Sequence, residues 1–252
     1  MKRPGRLLAL ILLAAGIFLL LAPELALAQK GIGIELSGKG RGGQEVSSAL
    51  KILLALTLLA LIPGILIAMT AFTRIIIVLS MLRQALGMQE VPPNMVLVSL
   101  ALFLTLFTML PVVKEINDTA FGPYMGDKIS IQEAGKRAIA PLREFMVRQT
   151  REQDLALMVE LAKAPPPRTL QDVELLHLVP AFMLSEMRTA FQIGFVIFLP
   201  FLLIDLVVSS VLMSMGMLMV PPVVISLPIK ILMFVLIDGW FLVVRSLVGS
   251  FH

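Results

Sequence analysis

The chain has 252 residues, 58% of them hydrophobic and only 15% charged, with a mean hydropathy of +0.95. Soluble domains run at about 45–50% apolar and about 25% charged, so this composition belongs to the membrane class. The net charge of +4 comes with no basic stripe interleaved with aromatics, which excludes a nucleic-acid reading, and the lack of cysteine excludes disulfides, thiol chemistry and thiolate metal sites.

Residues 1–28 read as a secretory signal peptide. Lys2, Arg3 and Arg6 form a basic start, residues 7–22 an uncharged apolar stretch, and Ala26-Leu-Ala28 a small-residue cleavage pattern. An uncleaved anchor is the alternative, although this stretch is short for a span. Residues 29–48 are glycine-rich, have little to bury and read as a flexible N-terminal tail. Residues 52–73 are uncharged and long enough to cross a bilayer, with a kink expected at Pro63-Gly64. The apolar pattern passes Arg74 and reaches Arg83, then turns at Gly87-Met-Gln-Glu-Val-Pro-Pro93 into a second uncharged run, 92–113. Residues 49–113 therefore predict a first helical hairpin.

Residues 114–177 hold most of the remaining charge and read as a small, solvent-exposed helical insertion on the extracytoplasmic side. Its helices are expected at 130–139 and 141–162, the second ended by Ala164-Pro-Pro-Pro167. Residues 178–252 form a second hairpin, with uncharged runs 189–204 and 206–229 separated by Asp205 alone. The expected fold class is all-α, two long hairpins flanking the insertion. Cleavage after Ala28 would place the new N-terminus outside, and four crossings would return the C-terminus outside. Arg74 and Arg83 give weak positive-inside support at the first inner turn, while the second has neither Lys nor Arg.

The two hairpins share a spelling. Gly87-Met-Gln-Glu-Val-Pro-Pro93 recurs as Gly216-Met-Leu-Met-Val-Pro-Pro222, which indicates an internal duplication. Each glycine is free to take positive φ, and each double proline ends one helix and opens the next. The second copy sits in Met213-Ser-Met-Gly-Met-Leu-Met219, where four methionines alternate. Methionine commonly fills core gaps. Here the turn position favours a second reading, in which soft side chains from several subunits close a pore and deform around passing polypeptide.

Catalytic patterns are missing. His177 and His252 belong to no ligand spacing, and no Walker loop, GxSxG elbow or HExxH occurs, so neither an enzyme nor a cofactor is expected. Ionisable groups inside apolar runs are more informative, because each must be paired or face water. Asp205 and Lys230 lie symmetrically about the methionine turn and predict an ion pair within one hairpin, with a proton relay as the alternative. Glu186, Arg188, Asp238 and Arg245 have no obvious partner, and pairing between subunits is one solution for the first three.

With these residues placed, the chain resembles the FliP family of type III secretion export-gate subunits. The resemblance rests on Phe72-Thr-Arg-Ile-Ile-Ile-Val-Leu-Ser80, Leu82-Arg-Gln-Ala-Leu-Gly87 with Pro92-Pro-Asn94, and Pro141-Leu-Arg-Glu-Phe-Met146 with Arg148-Gln-Thr-Arg151. It continues through Pro180-Ala-Phe-Met-Leu-Ser-Glu186, Thr189-Ala-Phe-Gln-Ile-Gly-Phe195, the second GMxxVPP turn and Asp238-Gly-Trp240. The signal peptide and the insertion favour the flagellar branch over the injectisome branch. The resemblance implies a pore-forming gate in the bacterial inner membrane at the flagellar basal body. Several copies, pentameric in the family, would assemble with FliQ and FliR beside FlhB and FlhA. Unfolded flagellar proteins would be the cargo, driven by a separate ATPase and the proton-motive force. It also implies helices sitting largely above the membrane plane, and a pore seal mapped onto Met217 and Met219, flanked by Met213 and Met215. Leu218 stands where relatives often carry methionine and should stiffen the seal. The competing class is a small-solute secondary transporter of repeated hairpins that uses Asp205 and Lys230 for coupling.

The signal-peptide reading predicts a mature chain that begins at Gln29. N-terminal sequencing of membrane-extracted protein checks this, and an intact Met1 terminus would remove both the signal peptide and the topology built on it.

Overall fold

The computed structural model describes residues 42–88, 90–165, 173–217 and 219–251, and every regular element among them is helical. The signal-peptide reading and most of the tail reading lie outside those residues. The chain divides into two units, residues 1–57 and 58–252, with the boundary inside α1 (Gly42–Ala68). In the first unit α1 begins within the stretch read as a tail and presents exposed Leu50, Leu53, Leu54 and Leu56. In the second unit it runs on through Pro63-Gly64 and ends at Ala68. The chain turns at Thr70, whose hydroxyl donates to the Ile67 carbonyl at 2.9 Å and accepts from the Phe72 amide at 3.4 Å. One side chain thus satisfies a backbone group on each side of the break.

The second unit is built around α2 (Phe72–Ala85). Ile75, Val78, Leu79 and Leu82 follow helical spacing and are buried, together with Ala71, Ala85 and Leu86. This stripe packs on α3 (Asn94–Ile116) and on the 40-residue α7 (Leu175–Ser214). Where α2 meets α7 the two backbones come close. A Cβ added at Gly194 would lie 3.2 Å from Met81 Cβ and nearer still to its sulfur. The core continues through Ala190 and Phe201 of α7, Phe234 of α8 (Pro222–Leu236), and Val243 and Leu247 of α9 (Gly239–Gly249). Helices α8 and α9 are bent by 66°. Asp238 takes a left-handed conformation at the bend, Gly239 lies against the Phe234 ring where a Cβ would collide, and Trp240 meets that ring edge-on.

The charged insertion differs from its sequence reading. After a π-helical stretch (Asn117–Phe121) and the short α4 (Gly122–Met125) come α5 (Ile131–Gln149) and α6 (Glu152–Leu161). Ser130 caps α5 by accepting from the Glu133 amide at 3.3 Å, a start legible as S-x-x-E. The break expected before Pro141 falls instead at Thr150–Arg151, because the freed Arg151 amide donates to Ser185 Oγ on α7 at 3.0 Å. Nor does the insertion stand apart in solvent. Met146 and Leu155 share a core with Leu178, Ala181 and Phe182 of α7.

Two helical segments among the described residues are long and apolar enough to cross a membrane, Asn94–Met125 and α7, and α8 with α9 could form a third, bent span. Of the four crossings expected from sequence, the first, residues 52–73, is interrupted by the turn at Thr70. Helix α1 contributes only the shorter apolar stretch Leu53–Ile65, and the 14 residues of α2 rise about 21 Å against a hydrocarbon core of about 30 Å. Helix α7, by the same rise, reaches about 60 Å, twice that thickness.

One buried ion pair ties the unit together. Arg74 on α2 donates through Nε to Glu186 Oε2 at 2.9 Å and through Nη2 to the other oxygen of that carboxylate. Its remaining donors reach the Ser250 carbonyl (2.8 Å), Ser250 Oγ (2.9 Å) and Gln149 Oε1 (3.1 Å), and the Phe251 ring lies 3.9 Å from Cζ. All five guanidinium N–H groups are engaged. Arg74 is therefore buried structure and not, as the charge-bias reading has it, a cation at an inner turn.

Glu186→Gln leaves a buried guanidinium without its counter-charge and should cost about 3–5 kcal/mol. Arg74→Met with Glu186→Met should recover only part of this, since Ser250 and Gln149 lose their donor. Thermal unfolding of the detergent-extracted chain measures both, and an unaffected Glu186→Gln protein would refute the assignment.

Candidate functional site

The two GMxxVPP turns begin with the same helix cap. In the first, the Met88 amide donates to the Arg83 carbonyl at 3.3 Å and the Gly87 amide to Gln84 at 2.9 Å. In the second, Met217 donates to Leu212 and Gly216 to Met213, both at 3.0 Å. These are Schellman caps, which need a left-handed residue after the helix, and Gly87 (φ +79°) and Gly216 (φ +74°) supply it. In each copy the double proline follows and starts the next helix, α3 after Pro93 and α8 at Pro222.

Their surroundings differ. The first turn is packed, with Leu86 buried and Leu227 Cδ1 of α8 lying 3.6 Å from where a Gly87 Cβ would stand. Around Gly216 there is open space. Met213 lies in the last turn of α7, Met215 caps it, and Met217 and Met219 follow; all four are exposed, Met219 by 96%. Leu218 lies outside the described residues.

The structure brings Asp205 and Lys230 together, Nζ to Oδ2 at 2.6 Å, from α7 and α8. Lys230 also donates to the Ala85 carbonyl at 3.2 Å. Ala85 ends α2, so its carbonyl has no helical partner, and a buried cation suits the negative end of that helix. The pair therefore binds the second hairpin to the first, beyond the single hairpin that its symmetry suggests.

Glu186 and Arg188 correct the inter-subunit reading, since both have partners within the chain. Glu186 is fully buried against Arg74. Arg188 reaches Asp154 Oδ1 on α6 at 3.1 Å, and the buried Asp154 also accepts from Ser185 Oγ at 2.6 Å. Their sequence partners were hidden by distance along the chain, 112 residues for Arg74 and Glu186. One signal could have found Arg74: it interrupts an otherwise apolar run, as Asp205 and Lys230 do. Asp238 is exposed at the α8–α9 bend and shows no side-chain bond among the described residues, and Arg245 lies over the Phe241 ring at 5.9 Å. No cluster of His, Cys, Asp and Glu among the described residues could hold a metal ion.

The segments that make these contacts are matched in known proteins. The FliP family model covers residues 55–247. The chain belongs to the FliP family. It is 58% identical over 208 residues to the flagellar biosynthetic protein FliP of Bacillus subtilis (strain 168), a match covering 82% of this chain and 94% of that one. The flagellar biosynthetic protein FliP of Pectobacterium carotovorum subsp. carotovorum is 54% identical over 84% of this chain and 82% of its own length. That of Caulobacter vibrioides is 46% identical over 97% and 91%. The FliP match takes in both turns, Asp205 with Lys230, and Arg74 with Glu186.

Lys230 is the more buried partner, with a side chain 6% exposed against 41% for Asp205, and it holds two acceptors. Lys230→Met should accordingly destabilise the chain more than Asp205→Asn. Exchanging the two residues should restore stability only in part, because an aspartate at 230 would face the Ala85 carbonyl. Thermal unfolding of the detergent-extracted chain reads this order, and equal effects of the two single variants would contradict it.

Proposed function

We propose that the chain is a pore-forming subunit of the flagellar type III export gate and passes unfolded flagellar proteins across the bacterial inner membrane at the basal body. In this reading several copies, five in the family, assemble with FliQ and FliR, next to FlhB and FlhA. Family membership and the names of the relatives support the flagellar export role. The observation that carries the pore reading is the contrast between two equivalent turns. The glycine and methionine of one pack against the fold, while the other exposes four methionines.

A gate for unfolded chains must exclude water when idle and yield to side chains of any size. Methionine is apolar, with rotatable side-chain bonds that let it repack. A ring of such side chains makes a constriction that closes by dewetting. The length of α7 supports a second element of the reading, a helical assembly extending beyond the membrane plane. Lys230 argues against the transporter alternative. A coupling residue must release its partner, and Lys230 is buried with a second bond to the Ala85 carbonyl.

Met217→Ala with Met219→Ala should leave assembly nearly intact, since these exposed side chains contribute little packing, and should make resting cells leak ions. Phenylalanine at both positions should keep the seal and slow export. Ion leak and flagellin secretion, measured in the same cells, test this. A tight, normally secreting alanine variant would return the methionines to the role of filler.

A further inference from the structure

The four thioethers of the second turn are suited to more than packing. We infer that Met213, Met215, Met217 and Met219 bind a soft monovalent cation, Cu(I), through their sulfur atoms. Thioethers are soft donors that select Cu(I). A filled d shell imposes no strict geometry on that ion, so three or four flexible arms of one turn suffice. Bonds from Gly216 to Met213, from Met217 to Leu212 and from Val220 to Met217 (3.4 Å) fold the methionine segment into a turn, with all four methionines inside Met213–Met219. All four side chains are exposed.

Electrostatics point the same way. The turn sits at the C-terminal end of α7, the negative end of that helix, which favours a cation. Residues 206–229 contain no Asp, Glu, His, Lys or Arg. No basic group on the turn opposes a cation, and no carboxylate or imidazole is offered to Mg(II), Ca(II) or Zn(II). The chain has no cysteine to compete. The site is independent of any sealing role for the turn, and the two ideas can fail separately.

Thioethers do not protonate in water, whereas imidazole does so around pH 6.5. Cu(I) should therefore stay bound at about pH 5, where a histidine site would release it. The test is anaerobic titration of the detergent-extracted full chain with Cu(I) against a chromogenic Cu(I) chelator, at neutral and acidic pH. Ag(I) serves as a redox-inert probe and Zn(II) as the hard control. Saturable Cu(I) and Ag(I) binding that persists in acid, with none for Zn(II), is the expected result. Replacing all four methionines by leucine keeps the apolar character and most of the volume, so the chain should fold, and binding should be lost. Met95→Leu with Met125→Leu removes two methionines that are equally exposed but isolated, and should change nothing. X-ray absorption of the Cu(I)-loaded chain should show a shell of sulfur alone. Unchanged binding in the four-leucine variant, loss in the Met95/Met125 variant, or nitrogen in the copper shell would overturn the site.

Discussion

A guanidinium taken out of water is tolerated only if each of its donors is met, and Arg74 finds acceptors only where α2, α5, α7 and the C-terminal turn converge. That requirement does more than add stability. It sets the position of α2 against α7, determines where α5 must end so that Gln149 can reach inward, and brings Ser250 and Phe251 back over the core. The neighbouring residue on α7 extends the same logic. Ser185 receives the Arg151 amide and donates to Asp154, so the α5–α6 break and the docking of α6 are fixed one residue away from Glu186. The segments that carry the family resemblance, around Arg74, Arg148–Arg151 and Ser185-Glu186, are the ones that converge on these two networks.

The repeated GMxxVPP spelling stands in two different settings. Both turns need glycine at the same place for the same backbone reason, yet only the first is anchored, with α8 side chains and the Lys230 ammonium beside it. Lys230 closes the C-terminal end of α2 while pairing with Asp205 of α7, so the first turn is held by the second hairpin. Among the described residues, no atom lies within 4 Å of a Cβ built at Gly216.

Much of the chain was legible in order along the sequence. The all-α class, the S-x-x-E start of α5, both GMxxVPP turns and the opening of α8 at the double proline follow from local backbone chemistry, which acts over a few residues. Asp205 with Lys230 was legible too, because a hairpin maps sequence symmetry onto spatial height. Three other readings fell to tertiary contacts. Pro141 leaves α5 unbroken within a packed core, and the insertion docks on α7 through apolar contacts spread over 146–182. Glu186 and Arg188, taken as candidates for a neighbouring subunit, are satisfied at home.

The sequence by itself determined where this chain is apolar, where it must turn and which residues of its turns can be left-handed, since those depend on neighbours in the chain. Only the tertiary structure decided which charges are partners, which of the two turns has its glycine packed against α8 and how α2 lies against α7. Those outcomes depend on groups far apart in sequence meeting away from water, where an unpaired donor or charge is costly enough to select one arrangement.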